Sequence, residues 1–438
     1  MHKPASRRNV IVPRLFRSLA APVCAAAMLV TAIPAAQAAP AAAPILPSRD
    51  PFYTYTGSKP LGQIAPGTVL EKRSITLVIA SLTVPYAAEQ VLYRTKGEQG
   101  QPTVTVTTII KPLASLPGTR IVAYQTAYDA LGSECDPSYT LRGGNPGTDS
   151  DAEAAIIALY VTAGYTVTVP DYEGTRLDWG AGQESGYGTL DGIRATENYL
   201  GAASSTKVGM LGYSGGSIAT EWASEQAPTY APELNIIGAA SGGVPVDFAH
   251  NLTYINGDQD WAGVIPAVLV SVGRAFGVNL KKYLSRYGEK ITHQVAGECI
   301  ASFATNYPGL TVQQLVKVQY QNVFQVPVLV KILNHLLMGT APGHPSVPLL
   351  FGVGNADGTG DGIMIAGDVE ALAHEYCKQG LPVTFDEYPG LKHTEAAVPF
   401  ETHAMTFLTS LFTGLPASNG CSSIGKGNSI APLPKPAK

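Results

Sequence analysis

A serine set among glycines, between a strand pattern and a helix pattern, is the feature that most constrains how this chain can fold. The apolar run Val208-Gly209-Met210-Leu211 leads into Gly212-Tyr213-Ser214-Gly215-Gly216, and a helical pattern follows over residues 217–223. A turn this tight forces the serine into a strained backbone conformation, and its neighbours must be small to avoid clashes. The pattern predicts a strand, a sharp turn and a helix, with Ser214 as a nucleophile. A turn without chemistry is the alternative.

Strand patterns alternate with helix patterns on both sides of this turn. Helices are predicted over residues 149–163 and 190–200, and strands over residues 103–110, 120–125, 165–169, 208–211 and 236–240. Such alternation is typical of a mostly parallel sheet. In that context the G-x-S-x-G pattern is the nucleophile elbow of α/β-hydrolases. The predicted fold class is therefore α/β, an α/β-hydrolase fold.

The alternation stops between residues 248 and 344, where the pattern becomes helical and strongly apolar. Strand patterns resume at residues 347–353 and 382–388, and the helices predicted before them cover residues 264–276, 311–320 and 328–337. A helical insertion between two strands of one sheet indicates a cap over the strand ends, where ligands of such sheets bind. We predict a hydrolase domain over residues 39–247 and 345–438 and a cap over residues 248–344. A separate helical domain is the alternative.

The first 38 residues have the pattern of a secretory signal peptide. Five basic residues and no acidic one precede an alanine-rich apolar run that ends in the small-x-small site Ala36-Gln37-Ala38. A membrane anchor is the alternative, and the export route stays open. We expect a secreted protein. Without residues 1–38 the chain has 24 Lys and Arg against 33 Asp and Glu, which disfavours nucleic acid as a partner.

Four cysteines remain when Cys24 is removed with the signal peptide, and their wide spacing disfavours a zinc site. In an oxidising compartment four cysteines pair as two disulfides, with three connectivities allowed. Cys377 and Cys421 both belong to the C-terminal segment, so we favour Cys377–Cys421 and Cys135–Cys299. Four free thiols are the alternative. Beyond Cys421 the tail is rich in Gly, Ser and Pro and is predicted to be loose.

A nucleophilic serine needs a base, and in this fold the chain order is serine, acid, histidine. Of the seven histidines that follow Ser214, only His393 lies in a loop directly after a predicted sheet strand. The acid should lie in the loop after the preceding strand, which offers Asp357 and Asp361. Asp361 is favoured because an apolar pair, Ile363-Met364, follows it, as in the common hydrolase pattern.

The same loop has a rival interpretation as a calcium site. Asn355, Asp357, Thr359 and Asp361 alternate oxygen-bearing side chains along it. The twelfth position is Ala366, where an EF-hand needs glutamate, so the calcium interpretation is the weaker one.

An oxyanion formed by attack on a carbonyl needs two hydrogen-bond donors. One is the backbone N–H of Gly215, the residue after the nucleophile. The other should come from the loop after the predicted strand at residues 120–125, where Asp129 is the best candidate through its backbone N–H or its side chain. An aspartate that only stabilises a turn is the alternative.

Eight motifs along the chain resemble those of a known family in the same order. They are Asp50-Pro51-Phe52-Tyr53, Pro66-Gly67-Thr68-Val69-Leu70, Tyr124-Gln125 with Asp129, Cys135-Asp136-Pro137-Ser138-Tyr139, Pro170-Asp171-Tyr172-Glu173-Gly174, Gly212-Tyr213-Ser214-Gly215-Gly216, Gly360-Asp361-Gly362 and His393. By these motifs the chain resembles the secretory lipase family over nearly all of its length after the signal peptide.

The resemblance implies an α/β-hydrolase that cleaves carboxylic esters, as a triacylglycerol lipase does, with a helical cap that holds the acyl-binding pocket. It implies Ser214, Asp361 and His393 as the triad, Asp129 with Gly215 as the oxyanion hole, and the same two disulfides. No cofactor is implied.

The expected partners are a lipid or ester substrate and the lipid–water interface, while the oligomeric state stays open. The apolar cap helices favour medium or long acyl chains. A short-chain carboxylesterase is the alternative function, and a peptidase or a non-catalytic binding protein on the same scaffold are further rivals.

Overall fold

A nine-stranded sheet forms the centre of the described part of the chain. The structure is a computed structural model that describes residues 43–144 and 149–436, so the predicted signal peptide lies outside the described residues. The strands, including a separate ribbon of β2 and β3, are β1 (Val69–Ile75), β2 (Val78–Ile79), β3 (Leu82–Thr83), β4 (Ala87–Lys96), β5 (Pro102–Lys111), β6 (Arg120–Gln125), β7 (Thr166–Pro170), β8 (Lys207–Tyr213), β9 (Ile236–Gly242), β10 (Leu349–Asn355) and β11 (Val383–Pro389).

The strand order is β1-β4-β5-β7-β6-β8-β9-β10-β11. Strands β1, β4, β5 and β7 pair antiparallel, and every pairing from β7 to β11 is parallel. The sheet is therefore mostly parallel, as predicted. Parallel neighbours all end at one edge, so the loops after β6, β8 and β10 lie at the same edge of the sheet.

The described helices cover both faces of this sheet. They are α1 (Pro137–Thr140), α2 (Asp149–Thr162), α3 (Gly182–Leu200), α4 (Gly215–Tyr230), α5 (Phe248–Tyr254), α6 (Val264–Phe276), α7 (Arg286–Val295), α8 (Ile300–Phe303), α9 (Val312–Leu315), α10 (Pro327–His335), α11 (Ala366–Lys378) and α12 (His393–Phe412). Leu190 of α3, Trp222 of α4 and Leu372 of α11 share one buried apolar cluster. Ile157 of α2 and Phe400 of α12 share another. No helix in the described ranges combines the length and the apolar character needed to cross a membrane.

Helices α5 to α10 lie between β9 and β10 in the chain, and their apolar side chains join the core of the sheet. Ile265 of α6, Phe303 of α8 and Leu315 of α9 belong to the same cluster as Trp222 of α4. The described residues from 43 to 436 accordingly belong to one compact unit. The boundaries of the cap at residues 248 and 344 stay a prediction.

The prediction of one continuous helix over residues 311–320 is wrong. The structure has the short helix α9 and a single 3₁₀ turn over Val318–Tyr320 there, and between them Val316 is extended and forms a β-bridge with Leu284. The backbone N–H of Ser285 donates to the carbonyl of Leu315, and that of Lys317 donates to the carbonyl of Tyr283. These bonds between segments 30 residues apart replace the bonds that would continue the helix.

The prediction of a loose tail is also wrong. The tail has no helix or strand between Cys421 and residue 436, but it is bound along α10 and α11. Asn428 Nδ2 donates to Asp368 Oδ1 at 2.8 Å. Asn334 and Leu433 exchange two hydrogen bonds, of 2.9 and 2.7 Å. Side-chain partners elsewhere in the fold thus order a segment whose own composition favours disorder.

Two buried glutamates lie on α4, the helix that begins next to Ser214. Tyr376 of α11 has its hydroxyl 2.6 Å from Glu221 Oε1 and 2.9 Å from Glu225 Oε1. Burial, with the neighbouring Glu225, raises the pKa of Glu221 to about 8. Burial also raises the pKa of Glu225 to about 7. In the folded protein these carboxyls therefore keep protons that an unfolded chain releases near pH 4.5.

We expect the free energy of unfolding to fall as the pH rises from about 5 to 8. Over that range the native state binds more protons than the unfolded state, so stability decreases with pH. Urea titrations at half-unit steps of pH measure the slope. Glu221→Gln should flatten it, while the control Glu289→Gln, at an exposed carboxyl, should leave it unchanged. A wild-type slope of the opposite sign would contradict the prediction.

Candidate active site

Ser214 lies at the sharp turn between β8 and α4, as the sequence predicts. Its φ is +53° and its ψ is −123°, a strained conformation for a residue with a side chain. Its backbone N–H donates to the carbonyl of Gly242 in β9 at 2.8 Å. This hydrogen bond to the sheet therefore stabilises the strained backbone of Ser214. The serine lies at the carboxyl end of a central strand.

The glycines around Ser214 leave no room for a side chain. A Cβ on Gly212 would lie 2.3 Å from the carbonyl oxygen of Gly216, and one on Gly216 would lie 1.9 Å from that of Gln125. A Cβ on Gly215 would lie 1.6 Å from Asp129 Oδ1. Real Cβ contacts are never this short, so backbone atoms require glycine at positions 212 and 216, and any side chain at position 215 would displace the Asp129 carboxyl.

His393 contacts Ser214 across 179 residues of sequence. His393 Nε2 lies 2.8 Å from Ser214 Oγ, and the imidazole is only 3% exposed. The structure places His393 at the first residue of α12 rather than within a loop, because three residues, Gly390 to Lys392, suffice to connect it to β11. The hydroxyl of Tyr213 donates to the carbonyl of His393 at 2.6 Å, which fixes the backbone there.

Asp361 is the acid that the structure brings to His393. Asp361 Oδ2 lies 2.7 Å from His393 Nδ1, and the carboxyl is fully buried. Asp361 Oδ1 accepts from the backbone N–H groups of Ile363 and Met364 at 3.1 and 2.7 Å. Ile363 and Met364 are themselves buried, which matches the apolar pair used in the prediction.

Asp357 has other partners in the same loop. Its Oδ1 accepts from the backbone of Thr359 and Gly360, and its Oδ2 accepts from the hydroxyl of Tyr254 at 2.9 Å. Asn355 Oδ1 likewise accepts from the backbone of Gly358. These side-chain oxygens stabilise the loop through protein donors, which accounts for their alternation without a calcium ion.

Asp129 lies beside Gly215, next to Ser214. Gly215 is the first residue of α4, where backbone N–H groups have no partner within the helix and the helix dipole is positive. Asp129 is 2% exposed and has a left-handed backbone, with φ of +38°. Its Oδ1 accepts from Trp179 Nε1 at 2.7 Å. The two residues predicted for the oxyanion hole thus contact each other.

Trp179 and Tyr213 are site residues that sequence reasoning missed. Trp179 follows β7 by nine residues, so its position near the edge where the parallel strands end was a usable signal. Tyr213 lies within the glycine motif, but nothing in the sequence indicates that its hydroxyl reaches His393. Both contacts join residues at least 50 positions apart.

An apolar cavity opens directly onto Ser214 and contains about 970 Å³ of empty space, part of it open to solvent. Asp129, Ser214 and Asn251 are the polar side chains on its wall apart from the Trp179 indole. The rest of the lining is mostly aliphatic and includes Ile265, Val268, Leu269 and Val272 of α6 and Leu329, Ile332 and Leu333 of α10.

The described cysteines form the two favoured disulfides, Cys135–Cys299 and Cys377–Cys421. Cys299 lies between α7 and α8, and Cys135 follows the loop that carries Asp129. A β-bridge between Ala130 and Cys299 accompanies this disulfide. The Cys135–Cys299 disulfide therefore ties the loop of Asp129 to the helical segment.

Comparisons with known proteins agree with this geometry. The sequence profile described as secretory lipase matches residues 145–420. The chain belongs to the secretory lipase family. Lipase A of Arthroderma benhamiae is 33% identical over 86% of this chain and 82% of its own length. A probable inactive lipase of Mycobacterium tuberculosis is 31% identical over 86% of this chain and 84% of its own length.

A solved structure of a lipase extends the agreement to the fold. Candida antarctica lipase A superimposes with a TM-score of 0.79 at 29% identity, over 90% of this chain and 92% of that chain. The α/β-hydrolase prediction is thereby confirmed. Membership of the secretory lipase family and the two disulfides also confirm the predicted extracellular location.

Proposed function

We propose that this secretory lipase hydrolyses carboxylic esters through an acyl-enzyme formed on Ser214. The contact that carries the proposal is His393, which bridges Ser214 Oγ and Asp361 Oδ2 at 2.8 and 2.7 Å. Because Asp361 accepts from Nδ1–H, the lone pair of Nε2 faces the serine hydroxyl. That tautomer is the one a general base requires.

In the first half of the reaction, Ser214 Oγ attacks the ester carbonyl while His393 Nε2 takes the hydroxyl proton. The tetrahedral intermediate collapses, its C–O bond to the alcohol breaks, and His393 returns the proton to the leaving alcohol. Water then attacks the acyl-enzyme with His393 again as the base. The acid leaves, and Ser214 recovers its proton. Asp361 orients the imidazole and stabilises its cationic form in both halves.

The negative charge of each intermediate needs donors beside Ser214. We assign the backbone N–H of Gly215, at the positive end of α4, and the backbone N–H of Asp129 as these donors. A positioned donor of this kind lowers the barrier by about 3 kcal/mol. The buried surroundings strengthen such contacts because little water screens them.

The cavity beside Ser214 supports an acyl chain as the preferred substrate group. Its wall is almost entirely aliphatic, and α6 and α10 both face it. Each methylene moved from water into such a wall contributes about 0.8 kcal/mol. We therefore propose glycerides and other esters with medium or long acyl chains as substrates, presented at a lipid–water interface.

We expect kcat/KM to rise along a series of p-nitrophenyl esters from acetate to at least octanoate. Leu333→Trp should remove most of this gain, because a half-buried residue on the wall would then fill the cavity. Lys331→Trp places the same side chain on an exposed position of α10 and should keep the wild-type series. A series that peaks at acetate, with no hydrolysis of emulsified tributyrin, would favour a short-chain carboxylesterase.

Two rivals are separated by a simple activity test. A peptidase on this scaffold would cleave an aminoacyl p-nitroanilide in preference to a p-nitrophenyl ester. A non-catalytic binding protein would cleave neither substrate. This rival is worth testing because one relative is a probable inactive lipase. The contacts among Ser214, His393 and Asp361 favour an active enzyme, since loss of function in such proteins usually removes one of these side chains.

A further inference from the structure

Trp179 connects the proposed oxyanion hole to the helices above the sheet. Its indole Nε1 donates to Asp129 Oδ1 at 2.7 Å, and both residues are more than nine-tenths buried. Water therefore competes little for this hydrogen bond, and the bond fixes the rotamer of the Asp129 carboxyl.

The carboxyl of Asp129 lies directly against Gly215, the residue that follows Ser214. Its Oδ1 lies where a Cβ on Gly215 would be, so it contacts the residue whose N–H faces the developing oxyanion. The backbone of Asp129 is left-handed, and the direction of its own N–H depends on that conformation. A carboxyl oxygen free to turn toward the oxyanion would also repel it. A fixed position for Asp129 Oδ1 therefore affects the direction of both proposed donors, the backbone N–H groups of Asp129 and Gly215.

Trp179 is itself fixed by cap helices. Its carbonyl accepts a hydrogen bond from the hydroxyl of Ser271 in α6. Its ring lies 5.5 Å, centroid to centroid, from the ring of Phe303 in α8. The indole thus contacts the cap on one side and Asp129 on the other, so that the packing of the cap sets where its N–H points.

We propose that Trp179 is a positioning residue for ester hydrolysis, acting through Asp129. Its N–H tethers Asp129 Oδ1 and thereby keeps the backbone donors of Asp129 and Gly215 directed at the transition-state oxygen. This inference rests on the proposed function. Because the oxyanion exists only after Ser214 attacks, the loss of Trp179 should lower kcat more than it raises KM.

The test compares two tryptophan-to-phenylalanine variants on p-nitrophenyl butyrate, a short ester. Trp179→Phe removes the N–H and should lower kcat by about tenfold or more, with KM within about twofold of wild type. Trp222→Phe is the matched control. The Trp222 indole is also buried, but its Nε1 has no hydrogen-bond partner among the described residues, so kcat should hold within about twofold.

A double-mutant cycle decides whether the effect passes through Asp129. In an Asp129→Ala background, Trp179→Phe should cause little further loss of kcat, because the tether then has nothing to hold. Fully additive losses would overturn the inference. So would wild-type kcat for Trp179→Phe in a protein that Ser214→Ala inactivates. If Ser214→Ala keeps its activity, the proposed function itself fails.

The melting temperature of Trp179→Phe shows whether this variant folds. If it folds poorly, benzothienylalanine is placed at position 179, since this residue replaces the indole N–H by sulfur and keeps the shape of the ring. The same loss of kcat is expected from that protein. An unchanged kcat would overturn the inference.

Discussion

Ser214→Ala is expected to abolish ester hydrolysis while the protein keeps a melting temperature close to that of the wild type. The variant removes the only oxygen placed 2.8 Å from His393 Nε2 in the described part of the chain, so no acyl-enzyme can form. Loss of the nucleophile in a well-built triad lowers turnover by a factor of about 10⁶. Initial rates on a p-nitrophenyl ester, with a calorimetric scan of both proteins, measure the effect.

Ser224→Ala is the matched control for this substitution. Ser224 lies in α4, the helix that Ser214 precedes, is 1% exposed and donates to the carbonyl of Glu221 at 2.8 Å. Its loss should leave the ester activity near wild type. If purified Ser214→Ala retained more than a few per cent of the wild-type rate, Ser214 would not be the nucleophile.

Asp361→Asn should lower kcat by about 10⁴, and Asp357→Asn should have far less effect. An amide at position 361 would present an N–H to His393 Nδ1 and favour the wrong tautomer, in which Nε2 carries the proton and no longer accepts from Ser214. The fold should persist, because the amide oxygen can still accept from the backbone of Ile363 and Met364. Steady-state kinetics of the two variants side by side provide the measurement.

Asp357 serves as the internal comparison because it belongs to the same loop but bonds Tyr254 and the local backbone. The reverse ranking of the two variants would move the acid role to Asp357. Small, equal losses together with a melting temperature that depends on calcium would instead support the metal-loop interpretation of this segment.

The elbow was predictable because its determinants are local. Gly212, Gly215 and Gly216 surround Ser214 between an apolar run and a helical pattern, and steric exclusion at these positions leaves few other conformations. The order of the remaining elements follows from the period of the apolar residues. Helix α6 and strand β6 accordingly begin and end where the pattern places them.

Helix α3 shows where local patterns are insufficient. It begins at Gly182, eight residues before the predicted start, through a stretch rich in glycine that disfavours a helix. A Cβ on Gly182 would lie 2.1 Å from the indole of Trp222 in α4, so close packing of two helices requires the glycine there. A tertiary contact, invisible in the local sequence, outweighs the propensity.

The sequence by itself determined the class of fold and predicted Ser214 and His393 as the proposed nucleophile and base, because these depend on short motifs and on chain order. Only the tertiary structure decided that Asp361 rather than Asp357 meets His393, and that Trp179 holds Asp129. These pairs are separated by 32 and 50 residues. Their contacts depend on how whole strands and helices pack, since burial and hydrogen bonding between distant segments leave no periodic signal in the chain.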